Sequence, residues 1–234
     1  MSTFRYHADI LTRYPNVIGG VILAQGITNG PTPEPLQITY RAEQEAVKER
    51  IGNTPLSQIQ SLEAWRGAFR RFGVDPTQYR SAAEALLRRL TKKGDIPSIN
   101  LLVDIGNMIS IRYALPVAVI DAQTIQGAIT VHFADGSEHS SMLGKNESDH
   151  PEPGEVIFSD EAGQVIARKW CWRQGEESAA QANTTEAIIA IEAHHANGRR
   201  DVTAALTDLQ ELLYKYAGGT LQTFVLDADH ETTK

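Results

Sequence analysis

Cysteine is nearly missing from this 234-residue chain: Cys171 is the single one, so no internal disulfide can form. A lone thiol suits a reducing compartment, and the cytoplasm is the expected location. No apolar run approaches the roughly 18 residues that a membrane span needs. The opening stretch MSTFRYHADILTRYP lacks the basic start and apolar core of a secretory leader. Neither GxGxxG nor a Walker A motif occurs, which leaves dinucleotide and P-loop readings without support. HExxH, clustered Cys/His spacing and a GxSxG elbow are absent as well, so no metal, no cofactor and no serine nucleophile is expected. Cys171 lies between Trp170 and Trp172 in an expected strand, a setting for a buried, inert thiol whose neighbours face the other way.

What is present is ordinary globular material, 41% hydrophobic and 22% charged. The length allows one large core or two small ones. Net charge is −7, yet between Arg41 and Lys93 the chain carries 11 Lys and Arg against 6 Asp and Glu. That segment is either a basic face able to meet phosphate or the mixed surface of solvated helices.

Along the chain, Val17 to Ile27 reads as a buried strand with a glycine pair, and Asn29 to Pro35 as a loop. Helices are expected from Tyr40 to Gly52 and from Ser57 to Gly73. A third opens on a Ser81/Glu84 capping box and buries Ala85, Leu86, Leu87 and Leu90. Its exposed side carries Arg80, Arg88, Arg89, Lys92 and Lys93. Pro97 to Asp121 then holds a helix that is apolar almost all round, the mark of a buried element. Asn100, Asp104 and Asn107 form one polar stripe along it. The stripe either stitches neighbouring backbone or lines a wet cavity. Two hairpins follow, GAITVHF with EHSSML and GEVIFS with QVIARKWCWR. Then come an apolar strand Ala187 to Ala193, an amphipathic helix Asp201 to Ala217 and a closing strand TLQTFVLD. Helices first, then a mixed, mostly antiparallel sheet with flanking helices, make an α+β arrangement.

Polar chemistry gathers late. Trp172, Arg173, Gly175, Glu176, Glu177, Ser178, Thr184, Thr185 and Glu192 lie within one segment, where carboxylates, hydroxyls and flat rings suit a small polar ligand. A solvated loop explains the same composition. Arg173 has a second reading, as the partner of a buried Asp104. His194 and His195 are adjacent and should diverge.

The run NLLVDIGNMISIRYALPVAVIDAQTIQGAITVHFA resembles the B3/B4 editing domain of the phenylalanyl-tRNA synthetase β subunit. WRGAFRRFGVDPTQYRSAAEALLRR and ARKWCWRQ resemble freestanding B3/B4 proteins. The resemblance covers about Tyr40 to His195. It implies a single B3/B4-like α+β domain over residues 1–234, with 1–39 and 196–234 packed on it. It also implies an enzyme that deacylates mischarged tRNA in trans, a carboxylic ester hydrolase serving translational quality control. It is expected in the cytoplasm without a membrane partner; the sequence leaves the oligomeric state open, with a monomer favoured. Asp104 and Asn107 match the Asp and Asn of the family's helix motif, Asp121 its following Asp, and Glu192 the carboxylate of the editing pocket. Gly106 replaces the motif threonine and Ala118 the pocket histidine, so a different substrate side chain is expected. On this resemblance Glu192 and Asn107 are the catalytic pair. Trp172, Arg173, Gly175, Glu176, Glu177, Ser178, Thr184, Thr185, Ala118 and Gly106 bind substrate, while Asp104 and Asp121 are structural. Arg80, Arg88, Arg89, Lys92 and Lys93 meet tRNA. Surplus carboxylates suit a guanidine-like side chain, which makes canavanyl-tRNA for arginine a candidate substrate. A non-catalytic tRNA-binding adaptor with the same fold is the alternative.

Overall fold

The computed structural model describes residues 3–139 and 150–233. In chain order its first half runs β1 (Phe4–Tyr6), α1 (Ala8–Arg13), β2 (Ile18–Gln25), α2 (Glu34–Ile51), α3 (Gln60–Arg71), α4 (Ala82–Lys93) and α5 (Leu101–Tyr113). The second half runs β3 (Val117–Asp121), β4 (Ile129–Phe133), β5 (Val156–Ser159), β6 (Val165–Arg168), β7 (Arg173–Gln174), β8 (Glu186–Ala193), α6 (Gly198–Tyr216) and β9 (Thr220–Leu226).

The strands form two sheets, ordered β3-β8-β2-β9 and β1-β4-β5-β6-β7. All pairings are antiparallel except β1 with β4. The four-stranded sheet is the middle layer. Along β8, Ala187, Ile189, Ile191 and Ala193 enter one core with α2, α4, α5 and α6, while Ile188 and Ala190 enter a second core with the five-stranded sheet, α1 and α3. A strand buried on both faces has no polar alternation, hence the apolar reading of that stretch, broken only by Glu192. The all-round apolar α5 is likewise buried, with Ile105, Met108 and Ile109 sealed from solvent. The α+β class expected from the sequence is the class observed.

Several local expectations change. α2 begins inside the presumed loop, because Pro35 falls in the first helical turn, where a missing N–H costs nothing. Ser81 caps α4 by accepting from the Glu84 N–H at 3.3 Å. The Glu84 carboxylate turns instead to Arg66, at 2.7 and 2.9 Å, and Ala85 is exposed. β4 is flanked by β1 and β5, which leaves it no edge for EHSSML. His139 bridges to Gln164, and Ser140 to Leu143 lie outside the described residues.

QVIARKWCWR is not one strand either. β6 stops at Arg168, and Lys169 and Trp170 adopt φ of 45° and 63°, a left-handed turn that bulky residues rarely enter. Buried Glu155 holds the turn by accepting from the Lys169 N–H at 2.8 Å and pairing with the Arg168 guanidinium at 2.6 and 2.8 Å.

Candidate active-site cleft

Glu192 follows the alternation of β8 onto the sheet-facing side and is only 3% exposed. A carboxylate there needs donors, and two converge on one oxygen. The Tyr6 hydroxyl donates to Oε1 at 2.6 Å and the Trp170 indole N–H at 3.0 Å. The Trp65 indole N–H reaches the Glu192 backbone carbonyl at 3.3 Å. Among the described residues no hydrogen bond reaches Oε2. Burial pushes the carboxyl up to about 7, against the pull of the two donors. The side chain therefore exists in both protonation states near neutral pH.

Beside it lies a cleft of about 70 Å³. Its floor is the cross-strand pair Ala118 and Ala190, and its walls include Phe158, Trp170 and Trp172. Arg173 stands at the wall with its guanidinium 4.8 Å from the centre of the Trp172 ring, and Tyr79 meets the same ring edge-on at 4.9 Å. The Gln174 amide donates to the Val119 and Ser178 carbonyls, at 2.9 and 3.1 Å, and ties β7 to β3. Cys171 also lines the cleft. Burial, then the Glu192 charge, holds its thiol well above the ordinary range, so it stays protonated and is no nucleophile. The left-handed turn brings Trp170, Cys171 and Trp172 to one cleft. A strand would have sent the rings away from the thiol, and that expectation fails here.

Of the residues singled out from the sequence, Glu192, Trp172, Arg173 and Ala118 meet in this cleft. Asn107 does not. It sits on α5, across the middle sheet, beside the Tyr40 hydroxyl though without a well-formed hydrogen bond to it. Gly106 packs on the same far side, where a Cβ would come within 2.7 Å of Val119. Its lack of a side chain brings α5 onto β3 and opens no pocket. Asp104 is a structural anchor. It accepts from Thr32 Oγ1 at 2.6 Å, the Ile99 N–H at 2.8 Å and the Ser98 hydroxyl, and Arg173 is not its partner. Asn100 caps α5 by accepting from the Val103 N–H at 3.1 Å.

Gly175, Glu176, Glu177 and Ser178, expected to bind substrate, also lie outside the cleft. The Gly175 N–H is committed to the Ile166 carbonyl at 2.7 Å, and buried Ser178 donates back to the Gly175 carbonyl at 3.3 Å. Glu176 and Glu177 are exposed. Thr184 donates to Asp121 at 2.5 Å, Asp121 also accepts from the Gln123 N–H at 3.0 Å, and Thr185 binds the Gln123 amide oxygen. These groups brace the connections around β3 and β8.

α4 starts at the cleft, where Ala82 lines it and donates its N–H to the Cys171 carbonyl at 2.8 Å. Of its cations, Arg80 leans on Glu84 at 3.9 Å and Arg89 on Asp95 at 3.7 Å. Lys92 and Lys93 are exposed and Arg88 is half-buried. His194 is boxed by Tyr14, Trp65 and Trp170, and burial pushes its ring down to about 3. His195 turns away to Asp201 at 2.8 Å, so the two histidines diverge as expected. Among the described residues no three His, Cys, Asp or Glu side chains group as a metal would need.

Tyr6, Trp65 and Gln174 are the site residues that sequence reading missed. The two aromatics look like core, and only their polar tips, invisible in a hydrophobic pattern, reach Glu192.

Comparison with known proteins adds three findings. The family model of the B3/4 domain matches residues 64–218. Among solved structures, the chain is similar to an N-terminal fragment of the phenylalanyl-tRNA synthetase β subunit from Pyrococcus horikoshii. Identity is 11% and the TM-score 0.48, over 94% of this chain and 50% of that one, so the chain spans half that fragment's length. No curated protein matches.

Proposed function

Because the chain belongs to the B3/4 domain family, we propose that its role is tRNA-related and that the Glu192 cleft hydrolyses the ester of a mischarged aminoacyl-tRNA in trans. The work would be done in the cytoplasm, beside translation. The observation carrying this reading is a buried carboxylate with one oxygen tied down and the other left for a cleft walled by aromatic rings.

The chemistry asks little of the protein. Water adds to the ester carbonyl, the tetrahedral intermediate collapses, and the ribose oxygen leaves with a proton, releasing the free amino acid. An ester is already activated, so positioning and charge placement supply the catalysis. Ionised Glu192 pairs through Oε2 with the cationic group of the aminoacyl moiety, a charge-assisted contact in a dry setting. Arg173, stacked on Trp172, faces the developing oxyanion or a phosphate. A neighbouring ribose hydroxyl of the tRNA relays the proton. Asn107 has no part in this chemistry, since the middle sheet separates it from the cleft. A guanidine-like side chain would meet Glu192 alone, because Glu176 and Glu177 lie outside the cleft; canavanyl-tRNA stays a candidate on that single contact.

The second reading, a tRNA-binding adaptor without chemistry, draws on the cleft's lack of another acid–base group. Ala118 floors it and the Cys171 thiol stays protonated. A panel of mischarged tRNAs, canavanyl-tRNA included, separates the two. Ester loss well above buffer is expected for at least one member, and Glu192→Gln should slow it by about 100-fold or more with tRNA binding retained. Release from no tRNA, with tight binding intact, establishes the adaptor.

A further inference from the structure

β2 opens with a glycine pair, and the two members serve different layers. Gly20 faces the helices, where a Cβ would lie 2.7 Å from Val202 of α6. Gly19 faces the other sheet and pairs in register with Glu192. A Cβ on Gly19 would lie 2.5 Å from the Tyr6 hydroxyl oxygen and 3.0 Å from its ring. The empty place opposite Glu192 is thus filled by the phenol of Tyr6. We propose that Tyr6 is a positioning residue of the cleft, its hydroxyl laid across Gly19 to hold Oε1 of Glu192 so that Oε2 alone meets a ligand.

The strand that delivers Tyr6 is fixed from both sides. β1 pairs with β4 from Phe4 to Tyr6, and residues 231–233 run along its other edge. There the Tyr6 N–H donates to the Glu231 carbonyl at 2.9 Å and the Thr233 N–H to the Phe4 carbonyl at 3.0 Å. Neither β1 nor residues 231–233 fall within residues 64–218, the part that matches the family model. The carboxylate and its Trp170 donor lie within that part, and its Tyr6 donor comes from outside.

Two donors on one oxygen give a division of labour. Tyr6 and Trp170 saturate Oε1, and a fixed carboxyl plane leaves Oε2 a single direction of approach. Burial, then the charge and hydrogen bond of Glu192, raises the Tyr6 hydroxyl well above its ordinary range, so it remains a donor at every working pH. Two other titratable neighbours are quiet: Cys171 stays a thiol and His194 a neutral ring, while the Arg173 guanidinium lines the same cleft. Of Glu192, Cys171 and His194, Glu192 is the one that titrates near neutrality.

This inference rests on Glu192 as the site carboxylate, and its test has a readout independent of activity. In full-length protein carrying ¹³C-labelled glutamate, the Glu192 carboxyl resonance, assigned by its loss in Glu192→Gln, is titrated in wild type, Tyr6→Phe and Gly19→Ala. The Phe ring keeps the packing and removes only the donor. Its expected effect is an upward move of the midpoint from about 7 by roughly one pH unit. Deacylation at pH 7 should fall about fivefold and return as pH rises, because the ionised fraction falls and is recovered. Gly19→Ala, which displaces the phenol, should reproduce both effects. A Tyr6→Phe midpoint at the wild-type value overturns the proposal, and a wild-type midpoint in Gly19→Ala alone overturns the part given to Gly19. If no tRNA is deacylated, the titration still decides the role of Tyr6, and only the deacylase reading fails.

Discussion

At the scale of single residues, burying Glu192 costs the fold stability. Its carboxyl titrates near the ordinary 4.5 in the unfolded chain and at about 7 when buried, so between those values the native state holds the extra proton. A raised acid contributes stability that is complete below the lower value and lost as pH rises through the upper one. The gap corresponds to roughly 3 kcal/mol. Glu192→Gln keeps an Oε1 acceptor for Tyr6 and Trp170 and carries no charge. It should therefore unfold later than wild type in urea at pH 8, with the advantage gone by pH 4. Equal stability at both pH values would show that Glu192 is not held in a raised state. The presence of Glu192 in an apolar strand was legible in the sequence, since one charge among Ile and Ala stands out. Its partners were not: an indole N–H and a phenol, 22 and 186 residues away, belong to side chains that pattern reading assigns wholly to the core. Asp104 and Asn107 differ in the same way. Spacing placed both on one stripe of α5, and only the neighbours show one anchoring Thr32 and Ile99 while the other faces α2.

At the scale of elements, the turn after β6 decides the cleft. Glu155 is opposed by burial yet held below the usual carboxylate range by the Arg168 guanidinium and the Lys169 N–H and ammonium. The Arg168 and Glu155 side chains are each 3% exposed. Breaking a pair so buried costs about 3–5 kcal/mol, because the surviving charge is stranded. Glu155→Gln should lose stability on that scale. With the left-handed turn released, the near-ultraviolet circular dichroism of Trp170 should weaken as well. A variant as stable as wild type, with its tryptophan signal intact, would remove Glu155 from this role. The existence of α4 and α6 was legible because periodicity and the Ser81 cap of α4 are local, although Ala85 proves exposed and α6 begins at Gly198, before the expected Asp201. The β6–β7 turn was misread as strand because its cause is a carboxylate on the far side of a hairpin, and no local propensity puts a tryptophan at φ 63°.

For the molecule as a whole, charge is divided between a net −7 and a cationic helix that begins at the cleft. If α4 leads the tRNA away from the site, Arg88, Lys92 and Lys93 should carry most of the contact, since Arg80 and Arg89 already lean on Glu84 and Asp95. Replacing those three with Ala should weaken tRNA binding at low salt and lower the slope of log affinity against log salt by about 2–3. An unchanged slope moves the tRNA path elsewhere. No described helix is long and apolar enough to cross a membrane. By itself the sequence determined the α+β class, the buried strand and helix at the centre, the caps and the family, because each rests on local pattern or on motifs kept in order. The tertiary structure decided which polar residues share a space. The middle sheet puts Asn107 and Glu192 on opposite faces, the Glu155-held turn swings three successive residues into one cleft, and β1 sets a phenol across Gly19. These are contacts between segments far apart in the chain, fixed by packing and by the need of every buried charge for a partner.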